Sequence, residues 1–413
     1  IAEIQRNDGA RPRIAHLNLA GLRGRLDRCA NWVRVGSGGP QPVNPPKEVV
    51  EDMLELQKPL PSLLGIVGIP TFAQDGGLET TPGYQPSTRL YYEPAGEPVP
   101  AVPASPDATD LKRAKQIIGQ EWLADFPFVD DASRANAIAA PLTAVARELI
   151  DGPTPMFAID APAQGTGKSL LANGIGTIII GAQPAVTTET RNEEELRKRI
   201  TALLRGGVPV VLLDNITKRM ESGTLCSLLT APLWSDRLLS KNEQVDVPVR
   251  AVWLATGNNL ELSGEMTRRV VWIRLDSRRD RPWERSQFRH AQLNAWVARH
   301  RHELVWAFLV LVQHWTAQGR PDWRGRVLGS FESWSLVIGG VLEAAGIAGF
   351  MENREQLYRR MDSETEEWRA FVGAWWDEHG TQTVKASTLY AFATELAPAI
   401  FARARDGATE QML

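Results

Sequence analysis

Cysteine is nearly absent from this chain of 413 residues: Cys29 and Cys226 stand far apart and make no metal-ligand spacing, which excludes a disulfide framework. Both are expected as buried thiols of a reducing, cytoplasmic compartment. Lysine is scarce too. Most of the 46 basic residues are arginine, and 49 acidic residues bring the formal net charge to -3. That total excludes a histone-like polyanion binder and leaves room for a local basic channel, because patches and not totals set nucleic-acid binding. No run reaches the roughly 18 apolar residues of a membrane span. LVWAFLVLV, at 304–312, is bounded by charge and reads as a core helix, so no membrane partner is expected. The opening IAEIQRNDGARPR lacks the basic-then-apolar order of a signal peptide. It begins with Ile1 and not Met, so the chain is expected to continue a longer polypeptide.

The length calls for two or three domains. Residues 1–105 read as an N-terminal accessory region. It holds a helix in LAGLRGRLDRCANWVRV, a linker at 36–46, a short helix in PPKEVVEDMLELQ, and short strands in LPSLLGIVGIP, GGLETTPGY and TRLYYEP. A Pro-rich linker covers 94–110. Residues 106–150 read as a helical segment packing on the domain C-terminal to it. From 151 to 281 apolar strands (MFAID, PAVTTE, PVVLLDN, AVWLATGNN, RVVWIRL) alternate with helical patterns, the signature of a parallel sheet covered on both faces. Residues 282–413 read as a C-terminal helical domain, with 381–413 as a small winged or helical module. Its many Trp residues recur at helical spacing and are expected in the core, not as base-stacking platforms.

MFAIDAPAQGTGKS (156–169) organises the rest. A strand delivers a turn of small residues into the first turn of a helix, and Gly165 and Gly167 let backbone N–H groups point at an anion beside the positive end of the helix dipole. This is a P-loop, G-x-x-x-x-G-K-[ST], with Pro162 where the pattern has Gly. Pro162, Ala163, Gln164, Gly165, Thr166, Gly167, Lys168, Ser169 and Leu170 are the expected nucleotide-binding residues. Lys168 would reach the terminal phosphates, and Ser169 would hold Mg²⁺ of a bound ATP.

Three further pieces sit at strand ends. VVLLDN places Asp214 to hold Mg²⁺ through water. Asn215 comes next, where many such ATPases carry a Glu; an amide orients water and accepts no proton, so Glu189, at the end of the preceding strand, is the candidate base. In ATGNN, Asn258 is expected to touch the γ-phosphate or the lytic water, ahead of Asn259. Arg268 and Arg269, at the start of the last strand, suit an arginine finger supplied to a neighbouring subunit, with Arg269 preferred; such a finger is worth about 10³–10⁵ in rate. A finger acting in trans requires a closed ring.

PAQGTGKS, VVLLDN and ATGNN followed by Arg268 and Arg269 resemble, in order and spacing, the A, B, C and arginine-finger elements of superfamily 3 helicases. PPKEVVEDML through GYQPSTRLYY and GSFESWSLVIGGVLEAAGIAGF extend the likeness toward the primase-helicases of phages, plasmids and other mobile elements. The resemblance implies an α/β fold with an AAA+-like P-loop NTPase core and a hexameric ring that translocates on single-stranded or forked DNA. It further implies a primase domain or primase partner, and a bacterial or phage-infected cytoplasm. It also implies a DNA-contacting hairpin between the B and C elements: DRLLSKNEQVDVPV (236–249) fits, with Lys241 and Asn242 at its tip. RLDSRRDRPWER (274–285) is basic and lines a subunit interface, DNA or solvent. Two rival readings stand beside a helicase: an initiator or loader ATPase that remodels protein–DNA complexes without unwinding, and a nucleotide-gated assembly module.

Overall fold

A computed structural model describes residues 2–5, 12–56, 61–187, 192–237, 244–361 and 363–385. Among these, five strands form one all-parallel sheet: β1 (Met156–Ala161), β2 (Ala185–Thr187), β3 (Val210–Ile216), β4 (Val252–Asn258) and β5 (Val270–Arg274). The order across it is β2-β3-β4-β1-β5. β1 is fully buried and lies between β4 and β5, paired Asp160 to Gly257 on one side and Asp160 to Arg274 on the other. Apolar runs without alternation are what two-sided burial demands. The edge strand β2 is partly exposed. The register of β3 against β4 shifts between Leu213 and Ile216, so Asp214 and Asn215 bulge out of the ladder, and Asn215 takes a left-handed backbone (φ +57).

Helices cover the sheet. α1 (Ala108–Gln116) is started by a capping box, Asp107 accepting from the amides of Thr109 and Asp110 while Asp110 accepts from that of Asp107; it widens into a π turn at Ile117–Trp122. α2 (Asp131–Val145), capped by Asp130, is buried almost all round. α3 (Lys168–Ile180) leaves the loop after β1, α4 (Glu193–Arg205) and α5 (Gly223–Thr230) flank β3, and the short α6 (Gly264–Thr267) precedes β5. Then come α7 (Leu293–Arg299), α8 (Arg301–Ala317), α9 (Glu332–Ala344), α10 (Arg354–Met361) and α11 (Ser363–His379).

α8 is the core helix expected from its sequence, with Leu304 to Val312 all buried. Among the described residues no helix is long and apolar enough to cross a membrane. Trp306, Trp315 and Trp334 are buried as expected; Trp334 meets Phe157 of β1 edge-on at 6.1 Å and donates to Thr143 of α2 (2.9 Å). Trp376 departs from that pattern and is 63% exposed. A polar knot closes the same layer. Asn136, buried on α2, donates to the Trp272 carbonyl of β5 (2.8 Å) and to Asn353 (3.1 Å), and accepts from the Met351 amide (3.0 Å). Asn353 also donates to the Trp272 carbonyl (3.2 Å), so the turn leading into α10 is fixed to the sheet.

The N-terminal region departs from the sequence in three places. The helix ends at Cys29, and Val33–Gly36 pairs with Gly39–Pro42 as a hairpin where a longer helix and a linker were expected, because Ser37 and Gly38 form a two-residue turn and Gly39 takes the positive φ (+96) that follows it. Cys29 is exposed, not buried, since only Leu22 of that helix faces the interior. The Pro-rich stretch after Glu93 has neither helix nor strand, yet it is no free spacer: Arg301, Trp306, Gln313 and His314 of α8 bond to the carbonyls of Ala95, Ala101, Ala104 and Pro106. Short strands do form, with Gly65–Val67, Leu90–Tyr92 and Gly83–Gln85 in one small sheet.

Candidate active site

The loop between β1 and α3 lies at the carboxyl edge of the sheet, where open α/β sheets hold ligands. Gly165 (φ +73) and Gly167 (φ +102) adopt the left-handed backbone that the sequence reading required. A Cβ on Gly165 would come within 2.9 Å of the Trp283 Cβ, so a side chain there is excluded by packing as well. The Pro162 carbonyl accepts from the Asn259 side chain (3.4 Å). Thr166 is buried, and its hydroxyl ties back to the Ala163 carbonyl (3.2 Å); Gln164 is exposed and Leu170 half-buried.

Lys168 points along this edge. Its Nζ donates to Asn258 Oδ1 (2.6 Å) and to the Ala163 carbonyl (3.2 Å). Burial, with the nearby Arg274, lowers its pKa, while Asp160 and Asp214 oppose the shift. Ser169 donates to Asp214 Oδ1 (3.2 Å), and the same oxygen accepts from Thr256 Oγ1 (2.5 Å). Thr256 in turn accepts from the Asn215 amide (2.9 Å), so one buried hydroxyl holds both bulged residues. Lys168, Ser169, Asp214 and Asn258 are thus brought together.

A serine hydroxyl and a carboxylate are hard oxygen donors, the set that Mg²⁺ accepts when phosphate and water complete its shell. Among the described residues no group of three or more His, Cys, Asp or Glu side chains assembles elsewhere to hold a metal. The Asn215 side chain is exposed. Glu189, Lys241 and Asn242 lie outside the described residues. The hairpin strands that lead to the latter two do form, Leu233–Arg237 against Gln244–Pro248, beginning three residues earlier than the sequence suggested.

Arg268 and Arg269 are not brought to this loop. The Met156 amide donates to the Arg269 carbonyl (3.0 Å), which puts both at the opposite end of β1, roughly 17 Å away for six residues of strand. Arg269 is held by Glu265 (2.7 Å) and the Cys226 carbonyl (3.1 Å); Arg268, more exposed, pairs with Glu265 as well.

Two elements of the site escaped the sequence reading. The first is a charged cluster on Asp160, which is wholly buried at the end of β1 and accepts from the Leu260 amide (2.9 Å), Arg360 (3.0 Å), Trp272 (3.3 Å) and Arg274. The Asp of MFAID was legible as a strand-terminal carboxylate; its partners, up to 200 residues away, were not. The second is a cavity of about 460 Å³ that opens off Gly165–Gly167 and is walled by Phe126, Phe288, Leu293, Arg285 and Asn294. Asp125 in its wall accepts from the Arg289 amide (2.7 Å), and the Arg289 side chain pairs with Glu121.

No protein-family model and no curated protein matches the chain. Solved structures resemble it remotely. The A-form apo structure of the NrS-1 C-terminal region shares 13% identity over 91% of this chain and 86% of that one, with a TM-score of 0.36. The JCV helicase shares 12% identity with a TM-score of 0.28, over 64% of each chain. A ligand-bound structure of the JCV helicase gives 12% and 0.24, over 63% and 68%. This chain therefore spans just under two-thirds of the first JCV helicase structure. At such scores the likeness decides neither fold nor activity.

Proposed function

We propose that this chain is an ATP-hydrolysing motor of the superfamily 3 helicase kind, assembling as a ring on single-stranded DNA. The observation that carries the reading is the convergence at one sheet edge of Lys168 with Asn258 and of Ser169 with Asp214 and Thr256, beside a glycine loop entering α3. The loop amides and the α3 terminus receive the phosphates, and the adjoining cavity is large enough for a nucleoside. Lys168 exchanges its bond to Asn258 for a terminal phosphate oxygen, which frees the Asn258 amide to orient the attacking water. Mg²⁺ held by Ser169 and Asp214 would neutralise charge that develops on the phosphates. Thr256 fixes the Asp214 carboxylate in that position. Arg269, with Arg268 as second choice, would serve the next protomer's site, a reading supported by its lying a strand's length from its own loop.

Asn215 favours a second reading, a nucleotide-gated assembly module, because its exposed amide accepts no proton from water. A strand-displacement assay on forked duplex DNA decides between the two. The motor separates strands with Mg-ATP and loses this with Lys168→Ala. Phosphate release no greater than that of Lys168→Ala supports the assembly module, and ATP turnover without strand separation supports a remodelling initiator or loader.

A further inference from the structure

We infer that Thr201 and Asp236 are positioning residues for DNA contact: they fasten the hairpin of Leu233–Arg237 and Gln244–Pro248 to α4, so that this helix sets the hairpin's direction. This rests on the proposed reading of that hairpin as the DNA contact.

A two-stranded hairpin is marginal by itself in water and needs packing to hold it. Here the root is closed by the Val249 amide, which donates to the Pro232 carbonyl (3.1 Å), and Arg147 donates to the Val249 carbonyl (3.3 Å). The direction is fixed farther out. Trp234, buried although it belongs to the hairpin, donates from Nε1 to Thr201 Oγ1 (2.9 Å) in the third turn of α4. The Thr201 hydroxyl has one proton to give, and the Asp236 carboxylate (2.5 Å) is a stronger acceptor than the Arg197 carbonyl (2.9 Å). The other Asp236 oxygen accepts from Arg197 Nε (2.8 Å), one turn before Thr201 on the same helix face, and from the Arg237 amide (2.8 Å). Arg197 also lies over the Trp234 ring at 6.0 Å. Both carboxylate oxygens are therefore engaged. Because Arg197 and Asp236 cancel in charge, the fastening supplies direction and no basic surface of its own.

The first turn of α4 is tied toward the nucleotide edge. The Thr224 amide, at the start of α5, donates to Glu193 Oε2 (3.0 Å). The loop between β3 and α5 is bonded in turn to the loop after β4, the Met220 amide to the Glu261 carbonyl (2.8 Å) and the Ser263 amide to the Met220 carbonyl (3.0 Å). These loops leave the strands that carry Asp214 and Asn258. Glu193 and Thr201 stand about 12 Å apart along one helix. Cutting the Thr201 end should thus spare the nucleotide site while the hairpin no longer follows α4.

The test follows phosphate release from Mg-ATP by the full chain over a titration of single-stranded DNA, with strand separation on a forked duplex beside it. Thr201→Val removes the hydroxyl and keeps the shape, and Thr201→Ser keeps the hydroxyl. In Thr201→Val, turnover without DNA and the half-saturating DNA concentration should stay within about threefold of wild type, while maximal stimulation and strand separation fall at least about tenfold. Thr201→Ser should behave as the wild type. Asp236→Asn, which still accepts from Thr201 and loses its ion pair with Arg197, should fall between them. Circular dichroism checks folding, and Asp236→Asn carries the comparison if Thr201→Val does not fold. Strand separation by Thr201→Val at the wild-type rate overturns the inference. So does a rise of about tenfold or more in its half-saturating DNA concentration, because the hairpin would then have lost its grip and not its direction. Should Lys241→Ala keep full stimulation by DNA, the hairpin is not the DNA contact, which is a distinct result.

Discussion

Thr256 shows how much of the site hangs on single polar atoms. Its hydroxyl is the donor that fixes the Asp214 carboxylate and the acceptor for the Asn215 amide, and it is 1% exposed. Valine has the same shape without those bonds. Thr256→Val leaves the Asn215 amide and one carboxylate oxygen short of a partner, which costs about 1–3 kcal/mol. The expected outcome is a lowered melting temperature together with ATP turnover reduced roughly 10- to 100-fold, because Asp214 loses its orientation. Unchanged turnover in a folded Thr256→Val protein would remove Thr256 from the site. Gly257, next in the chain, has no such latitude, since a Cβ there would collide with the Leu260 side chain and sit 2.8 Å from the Ile216 carbonyl.

At the scale of elements, the five strands and the loop after β1 were legible because each signal is local. Apolar runs mark two-sided burial, paired glycines mark positive φ, and Lys-Ser comes at fixed spacing after them. What was not legible depends on distant partners. Arg274 and Arg360 reach Asp160 across 114 and 200 residues, the Val33–Pro42 hairpin turned on two glycines inside an apparent linker, and the Pro-rich stretch is pinned by helix α8. The hairpin between β3 and β4 belongs to both kinds. Its strands pair in register from Leu233–Pro248 to Arg237–Gln244, while Lys241 and Asn242 lie beyond the described ends. The phosphate-gripping role proposed for Lys241 has a test of its own. Lys241→Ala should abolish strand separation and DNA stimulation of hydrolysis, measured as phosphate release with and without single-stranded DNA. Retained unwinding would assign DNA contact elsewhere.

The whole molecule holds the residues proposed to bind nucleotide and those proposed to act in trans at opposite ends of one sheet, with Lys168 and Asp214 at the carboxyl edge and Arg268 and Arg269 at the amino edge. A lone protomer cannot fold that distance, so the account requires head-to-tail association that closes on itself. Complementation tests it most directly. Lys168→Ala and Arg269→Ala proteins, each inactive alone, are mixed in equal amounts and phosphate release from Mg-ATP is followed on single-stranded DNA. Random mixing pairs an intact loop with an intact finger at about a quarter of the interfaces, so turnover should return to roughly that fraction of wild type. A mixture as silent as its parts, or an Arg269→Ala protein that hydrolyses ATP at the wild-type rate by itself, contradicts the account.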